Sequence, residues 1–228
     1  MRAGIVLQSR MASQRLPGKA LERVGGRPLV EQCLLRLLAS EAAPVILATT
    51  TGADDDAVAA VADRLGVPVF RGATDDVLDR FVRCAERFQL DVVIRATADN
   101  PAVDMEAPAR LLAALVRSGA DYGREDGLPC GAAVEAIATQ ALQRGAQLAS
   151  DPSDREHVTT YLRRHEDRFN LLAMPAPPAL ARPDVRVTVD TPADLQHMRR
   201  MYAQAGEGLR PLSDFIRAWD RLDARSVA

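Results

Sequence analysis

Short apolar runs alternate with helix-period stretches through the first half of the chain, and no other feature narrows the possible folds as much. The runs "GIVL" (4–7), "VILATT" (45–50), "VPVF" (67–70) and "DVVIRAT" (91–97) read as buried strands. Between them, "PLVEQCLLRLLAS" (28–40) places Leu29, Val30, Cys33, Leu34, Leu37 and Leu38 on one face, with Pro28 suited to a first helical turn. "DDDAVAAVADRLG" (54–66) starts on three carboxylates that suit a helix N-terminus and ends on a glycine that suits its exit. "TDDVLDRFVRCAERF" (74–88) is expected to start on a Thr cap. Strand, helix, strand, helix implies an α/β fold of three layers, a mostly parallel sheet with helices on both faces. Ligands are then expected at the carboxyl ends of the strands.

The second half is less regular. A helix around 105–117 leads into "SGADYGREDGLPCGAAVEAIAT", read as strand, excursion, strand. Helices are expected near 138–148 and over "DREHVTTYLRRHE" (154–166), then a short strand at "FNLLAMP". The proline-rich 175–184 segment reads as a stiff connector. It leads to a strand "VRVTVD" (185–190) and two closing helices. The expectation is one domain over 1–228, with a small excursion around 120–182.

At 228 residues and 47% hydrophobic content the chain can bury a real core. Its 29 basic and 31 acidic residues give a net charge of −2, which argues against general attraction to nucleic acid or to an anionic membrane. A polyanion site must therefore be local. Cys33, Cys84 and Cys130 are odd in number and widely spaced, so neither a disulfide framework nor a zinc knuckle is indicated. The opening apolar run is too short for a signal peptide and no stretch suits a membrane span, so a cytoplasmic protein is expected.

Such a local site is offered by "LQSRMASQRLPGKAL" (7–21), which follows the first strand. Arg10, Arg15 and Lys19 surround Ser13, Pro17 and Gly18. Arginine binds phosphate oxygens with paired hydrogen bonds, and lysine acts as a point charge. A Walker A loop is excluded, because Ser13 stands where glycine is needed and Ala20 where a hydroxyl should hold magnesium. Charge alone leaves two readings open, a phosphate grip and a solvated basic loop. Among the carboxylates, Asp54, Asp55 and Asp56 read as a helix-start cluster, and Asp194 as solvent-facing. Asp99 and Asp190 each stand where an apolar strand stops, placed either to hold a metal with phosphate or to cap a helix.

The run "QSRMASQRLPGK" resembles the N-terminal signature of the cytidylyltransferases that activate acidic sugars, in particular the spore-coat-polysaccharide branch, whose pattern is close to Q-A-R-M-x-S-x-R-L-P-G-K. Gln8, Arg10, Ser13, Arg15, Gly18 and Lys19 all fall on it. "RATADNPAVD" is similar to that family's R-x-T-G-D-x-P-L-I-D, and "RVTVDTPADL" to its R-x-T-V-D-T-P-E-D-L. The resemblance, which runs from about residue 4 to 203, implies a Rossmann-like nucleotide-diphospho-sugar transferase fold. It also implies transfer of CMP from CTP to an acidic sugar or related anion, with magnesium on Asp99 and Asp190. Gln8, Arg10, Ser13, Arg15, Gly18 and Lys19 would hold the nucleotide, joined by Arg71 and by Thr97 near ribose and base. Arg10, Lys19, Asp99 and Asp190 would be the catalytic set.

On the acceptor side, "SDREHVTTYLRRH" is similar to the family's S-x-R-E-H-V-T-x-Y-I-R. By that resemblance Arg155 and Arg186 would meet an acceptor carboxylate, while His157 and Tyr161 would donate hydrogen bonds; His157 at helical spacing from Tyr161 equally suits a buried structural partner. The family's P-D-G-x-D-V-E-V becomes "PCGAAVEA": Glu135 is kept and by the resemblance would contact the acceptor, whereas Cys130 and Ala133 replace aspartates. An altered acceptor is the natural consequence, a different acidic sugar or a smaller anion such as a phosphonate. A nucleotide-binding protein without catalysis is the alternative from another class. The resemblance also implies a homodimer.

Overall fold

The computed structural model describes residues 1–224. Strand β1 (Ala3–Gln8) is followed by a loop, one turn of 3-10 helix at Lys19–Leu21, and a small hairpin, β2 (Arg23–Val24) and β3 (Arg27–Pro28). Helix α1 (Leu29–Leu38), β4 (Val45–Thr50), α2 (Asp56–Arg64), β5 (Val69–Gly72), α3 (Val77–Phe88) and β6 (Val92–Thr97) complete the alternating half. Then come α4 (Ala107–Ser118), β7 (Tyr122–Asp126), β8 (Glu135–Ala138) and α5 (Thr139–Leu148). Two short helices, α6 (Pro152–Glu156) and α7 (Thr160–Arg164), precede β9 (Leu171–Pro175) and the closing helices α8 (Pro192–Ala205) and α9 (Leu212–Ala224).

Seven strands form one sheet in the order β5-β4-β1-β6-β8-β7-β9. Only β8 runs against the others, so the sheet is mostly parallel. Successive strands move outward from β1 to β4 and β5, then β6 returns to the other side of β1. That reversal opens a crevice beyond the carboxyl ends of β1 and β6, where this class of sheet binds ligands. Gln8 and Thr97 face each other in register at that edge.

Alternation along the strands builds the layers, because neighbouring residues point to opposite faces. Ile5, Leu7, Leu47 and Ile94 join α1, α2 and α4 in one core. Val6, Ile46 and Val93 join α3, α5 and α7 in another. A third core lies under α8 and α9, where Val185, Val187 and Val189 pack with Leu29, Met198, Met201 and Phe215.

Several expectations are corrected. The cap of α3 is Asp76, whose Oδ1 accepts from Asp79 N at 2.8 Å, and not Thr74. Residues 67 and 68 still belong to the exit of α2, since Gly66 turns at φ +68° and Val67 N bonds back to Ala62 O. The helix expected over 154–166 is two short helices broken at Val158, which adopts φ +47° with its side chain buried in the second core. A β-branched residue rarely takes that conformation, and the break turns His157 and Thr159 toward the crevice. The 185–190 segment is extended but is no strand of the sheet. Its hydrogen bonds go to Cys130 and Asp99 in loops, leaving a single bridge between Cys130 and Arg186.

Candidate active site

The loop after β1 is tied down at both ends and in its middle. Ser9 N donates to Ala48 O at 3.2 Å, and Gly18 N donates to Met11 O at 3.1 Å. Gly18 sits at φ +73° and starts the 3-10 turn that carries Lys19. That conformation suits glycine, and with only Met11 Cε near the place of a Cβ it is the backbone and not space that requires it. The middle of the loop hangs on Asp55, which is buried. Its Oδ1 accepts from Met11 N at 2.6 Å, while Oδ2 takes the Thr50 hydroxyl and backbone N–H. Asp55 is therefore a brace between β4 and the loop rather than part of a solvated helix start.

Lys19 is the centre of the site. Its Nζ lies 3.3 Å from Asp99, 3.3 Å from Asp190 and 2.9 Å from Val189 O. Its side chain is only 16% exposed, against 17% for Asp190 and 29% for Asp99. Asp190 also receives Arg15 at 2.8 Å and Arg186 at 2.9 Å. Three cations thus converge on one carboxylate, and two carboxylates on one ammonium.

The capping role open to Asp190 is filled by its neighbours. Thr191 is the N-cap of α8, with Pro192 in the first turn, and Asp194 closes a capping box by accepting from Thr191 N at 2.9 Å. Asp194 also accepts from Asp190 N at 3.0 Å and pairs with Arg186 at 3.0 Å, so it does not simply face solvent. Burial works to raise the Asp194 carboxyl, but Arg186 and these N–H groups hold it well below the usual range. The Asp190 side chain is thereby spared the cap and lines the crevice with its three cationic partners.

Among the described residues no cluster of three or more His, Cys, Asp or Glu side chains is placed to hold a metal alone. Two convergent carboxylates fit a magnesium ion that takes its remaining ligands from water and phosphate, the usual arrangement at nucleotide sites.

Two adjoining hollows, which share Arg95, Thr97 and His157 in their walls, make up the crevice. The first, of about 380 Å³, is lined by Gln8, Arg10, Ser13, Arg15, Lys19 and Asp190 among others. Asp99 and Thr97 line it from β6 and the loop beyond. Arg71 does not line it; it pairs with Asp56 at 2.7 Å and donates to Thr50 O on the flank of the sheet. In its place stands Arg80, buried on α3, with its guanidinium bonded to the carbonyls of Ala73 and Thr74. Burial, then the nearby Arg10 charge, pulls the Arg80 value down from its ordinary one.

The second hollow, of about 560 Å³, is lined by Glu125, Ala133, Glu135, His157, Thr159 and Arg163 among others. Glu135 is fully engaged: Arg95 Nη1 at 2.5 Å, the Tyr122 hydroxyl at 2.6 Å and Thr159 Oγ1 at 3.0 Å all donate to it. Burial works to raise this carboxyl, yet the Arg95 charge and the three hydrogen bonds outweigh it and hold it below its ordinary value.

Three expected acceptor contacts lie elsewhere. Arg155 binds Asp76 and Ala146 O, clamping α3 to α5 and α6. Tyr161 is buried, stacked on His165 at 4.0 Å and edge-on to Phe169. Arg186 faces a separate hollow beside α8 and α9. Of the two replaced aspartate positions, Ala133 lines the second hollow, whereas Cys130 is exposed with its sulfur 3.5 Å from Arg186 Nη1.

Asp55, Arg80, Arg95 and Arg163 were not anticipated as site residues. A signal existed for Arg95, a cation inside the otherwise apolar run "DVVIRAT", and for Arg80, the cation of "DVLDRF". Nothing local marks Asp55 among its acidic neighbours.

Comparison with known proteins places this geometry. A family model described as cytidylyltransferase matches residues 3–211. A spore coat polysaccharide biosynthesis protein of Bacillus subtilis is 33% identical over 208 residues, covering 89% of this chain and 87% of that one. A cytidylyltransferase from Leptospira borgpetersenii has the same fold, with a TM-score of 0.92 at 24% identity over 98% of this chain and 96% of that one. A CMP:2-keto-3-deoxy-manno-octonic acid synthetase, solved with CTP, matches at a TM-score of 0.69 and 18% identity over 90% and 99% of the two chains.

Proposed function

The chain belongs to the cytidylyltransferase family, and on that premise we propose that it transfers the cytidylyl group of CTP to a small anionic acceptor, an acidic sugar or a related anion, with release of pyrophosphate. The observation that carries this reading is the convergence of Asp99 and Asp190 on Lys19 Nζ at the mouth of the basic loop. Carboxylates that a lysine neutralises in the free protein would be the ones to hold magnesium once that lysine turns to phosphate oxygens.

In the transfer, the acceptor hydroxyl oxygen bonds to the α-phosphorus and its proton passes to solvent water. The bond from that phosphorus to the bridging oxygen breaks, and pyrophosphate leaves with the electron pair. Arg10, Arg15 and Lys19 bind the β and γ groups and stabilise the charge that grows there. Ser13 and the backbone of the Gly18 turn fix the phosphates against the loop, and Thr97 orients the nucleoside. Asp99 and Asp190 would hold magnesium, which when bound would polarise the α-phosphate and neutralise the leaving group. Catalysis is then positioning and charge neutralisation, with no covalent enzyme intermediate.

The acceptor lies in the second hollow. Its carboxylates Glu125, Asp126 and Glu135 are each paired with an arginine, at 2.9, 2.7 and 2.5 Å. Arg163, on α7, lines the hollow with no ion-pair partner among the described residues, which supports an anionic occupant. Ala133 supports a second reading, a non-sugar acceptor such as a phosphonate, because a methyl group lines the hollow where the resembled pattern has an aspartate.

The test is pyrophosphate release from CTP and magnesium against a panel of acidic sugars and phosphonates. Release with one acceptor, lost in Asp190→Ala, is expected. CTP binding without release for every acceptor would favour a non-catalytic binder.

A further inference from the structure

A transferring phosphorus must lie where the nucleotide and acceptor hollows meet, and the residues that line both are Arg95, Thr97 and His157. We propose that Arg95 is a catalytic residue whose Nη2 donates to the α-phosphoryl group, and that Gln8 and Glu135 are positioning residues that aim it. This inference rests on the reading of the site as a cytidylyltransferase centre.

Arg95 occupies β6 among Val92, Val93, Ile94 and Ala96, all buried apolar residues. A guanidinium in such a run carries a large desolvation cost, which its partners must offset. Nε donates to Gln8 Oε1 at 3.2 Å and Nη1 to Glu135 Oε2 at 2.5 Å, while the group lies over the Phe81 ring at 6.0 Å from its centroid. Two nitrogens and one face are thereby fixed. Nη2 has no protein partner among the described residues, and it belongs to a side chain that lines both hollows. Gln8 comes from the end of β1 and Glu135 from the start of β8, the two strands that flank β6, so the sheet itself sets the aim.

Glu135 is in turn held by Tyr122 and Thr159, the latter presented by the break at Val158. Each of its oxygens already receives a donor from the protein. Its role is thus to orient Arg95 rather than to grasp an acceptor hydroxyl. As the acceptor oxygen bonds to phosphorus and pyrophosphate departs, charge on the non-bridging α-oxygens is met by a donor that needs no reorganisation.

A structural ion pair and a phosphoryl contact differ in what they do to ligands with and without an α-phosphate. Cytidine, CMP and CTP are titrated calorimetrically into wild type, Arg95→Met, Arg95→Lys, Glu135→Gln and the Arg95→Met/Glu135→Gln double variant. Arg95→Met is expected to weaken CMP and CTP by about 10–100-fold, the size of a charge-assisted hydrogen bond, while cytidine is unchanged. Glu135→Gln weakens CMP several-fold, and the double variant is no weaker than Arg95→Met alone, as a positioning role requires. Arg95→Lys reads the same contact if the methionine variant does not fold, because one ammonium cannot serve Gln8, Glu135 and phosphate together.

CMP affinity unchanged in Arg95→Met, or cytidine lost in equal measure with CMP, overturns the proposal. Absence of pyrophosphate release by wild type with every acceptor contradicts the transfer reading instead, and the CMP titration still decides the contact. Wild type that binds none of the three ligands overturns both.

Discussion

The two hollows of the crevice treat their charges differently. On the nucleotide side, partners are shared: Asp190 serves Arg15, Lys19 and Arg186, and Lys19 serves both Asp99 and Asp190. On the acceptor side each lining carboxylate pairs with a single arginine, Glu125 with Arg110, Asp126 with Arg124 and Glu135 with Arg95, although Arg110 also serves Asp104 and Glu106. Ion pairs shared among several cations are easily redistributed when a polyanion arrives, whereas a partly buried carboxylate with one arginine, such as Glu135 or Glu125, loses that compensation outright when its pair is broken. The first hollow is thus built to change partners, and the second to keep its shape. In the proposed reaction, selectivity for the acceptor would fall to the side chains outside those pairs, Ala133 and Arg163 foremost.

The sharpest way to break this contrast is Asp190→Ala. Loss of one shared carboxylate should lower pyrophosphate release by about 10²–10³-fold or more, the scale of a removed transition-state contact. The unfolding midpoint without nucleotide should move little, because Lys19 keeps Asp99 and Arg186 keeps Asp194. A large fall in stability with modest loss of rate would make Asp190 structural.

Asp55→Ala removes the brace of the basic loop. It leaves Met11 N and the Thr50 donors without acceptors, a cost of about 1–3 kcal/mol. With about 2–4 °C per kcal/mol in a chain of this size, a drop in midpoint is expected together with a raised KM for CTP. An unchanged KM would mean that the loop holds its shape without Asp55.

Ala133→Asp sharpens the acceptor side. The KM for the acceptor should change by about 10-fold while that for CTP stays constant, since the residue lines only the second hollow. A change confined to CTP would reverse the assignment of the two hollows.

The smallest effect concerns acid. Glu135 is held below its ordinary value in the folded chain, so its contribution to stability is complete above the ordinary carboxylate range. It is lost as pH falls through that range and through the folded value, because the unfolded state takes up the proton first. Glu135→Gln should flatten the acid limb of a stability-against-pH curve and leave neutral and alkaline slopes alone. An unchanged acid limb would show that the pair with Arg95 contributes nothing to that slope.

The same contrast explains what was legible in the sequence. The basic loop is one contiguous string, Gln8 to Lys19, and two aspartates end apolar runs, so local pattern is enough to single out residues that the fold brings to one hollow. Strands β1, β4 and β6 were equally plain, because their runs are buried on both faces. The acceptor side joins residues distant in sequence, such as Arg95 with Glu135 and Asp76 with Arg155, and no periodicity records which arginine turns inward. Arg155 and Tyr161 keep the residue types of the resembled segment while serving as clamp and core. The positive φ at Val158 splits a segment whose sequence reads as one helix, since neither glycine nor proline marks the break. Asp55 escaped for the opposite reason, hidden among carboxylates that suit a helix start.

The most direct test of the central claim, that Asp99, Asp190 and the basic loop form a magnesium-dependent CTP site, is thermal unfolding with magnesium and each of CTP, UTP, ATP and GTP. Wild type and Asp190→Asn are compared. A ligand at about 100 times its Kd stabilises by about 2.7 kcal/mol, or roughly 5–10 °C at this chain length. A shift of that size with CTP, dependent on magnesium and reduced in Asp190→Asn, is expected. No shift with any nucleotide, or an equal shift in the variant, would contradict the assignment.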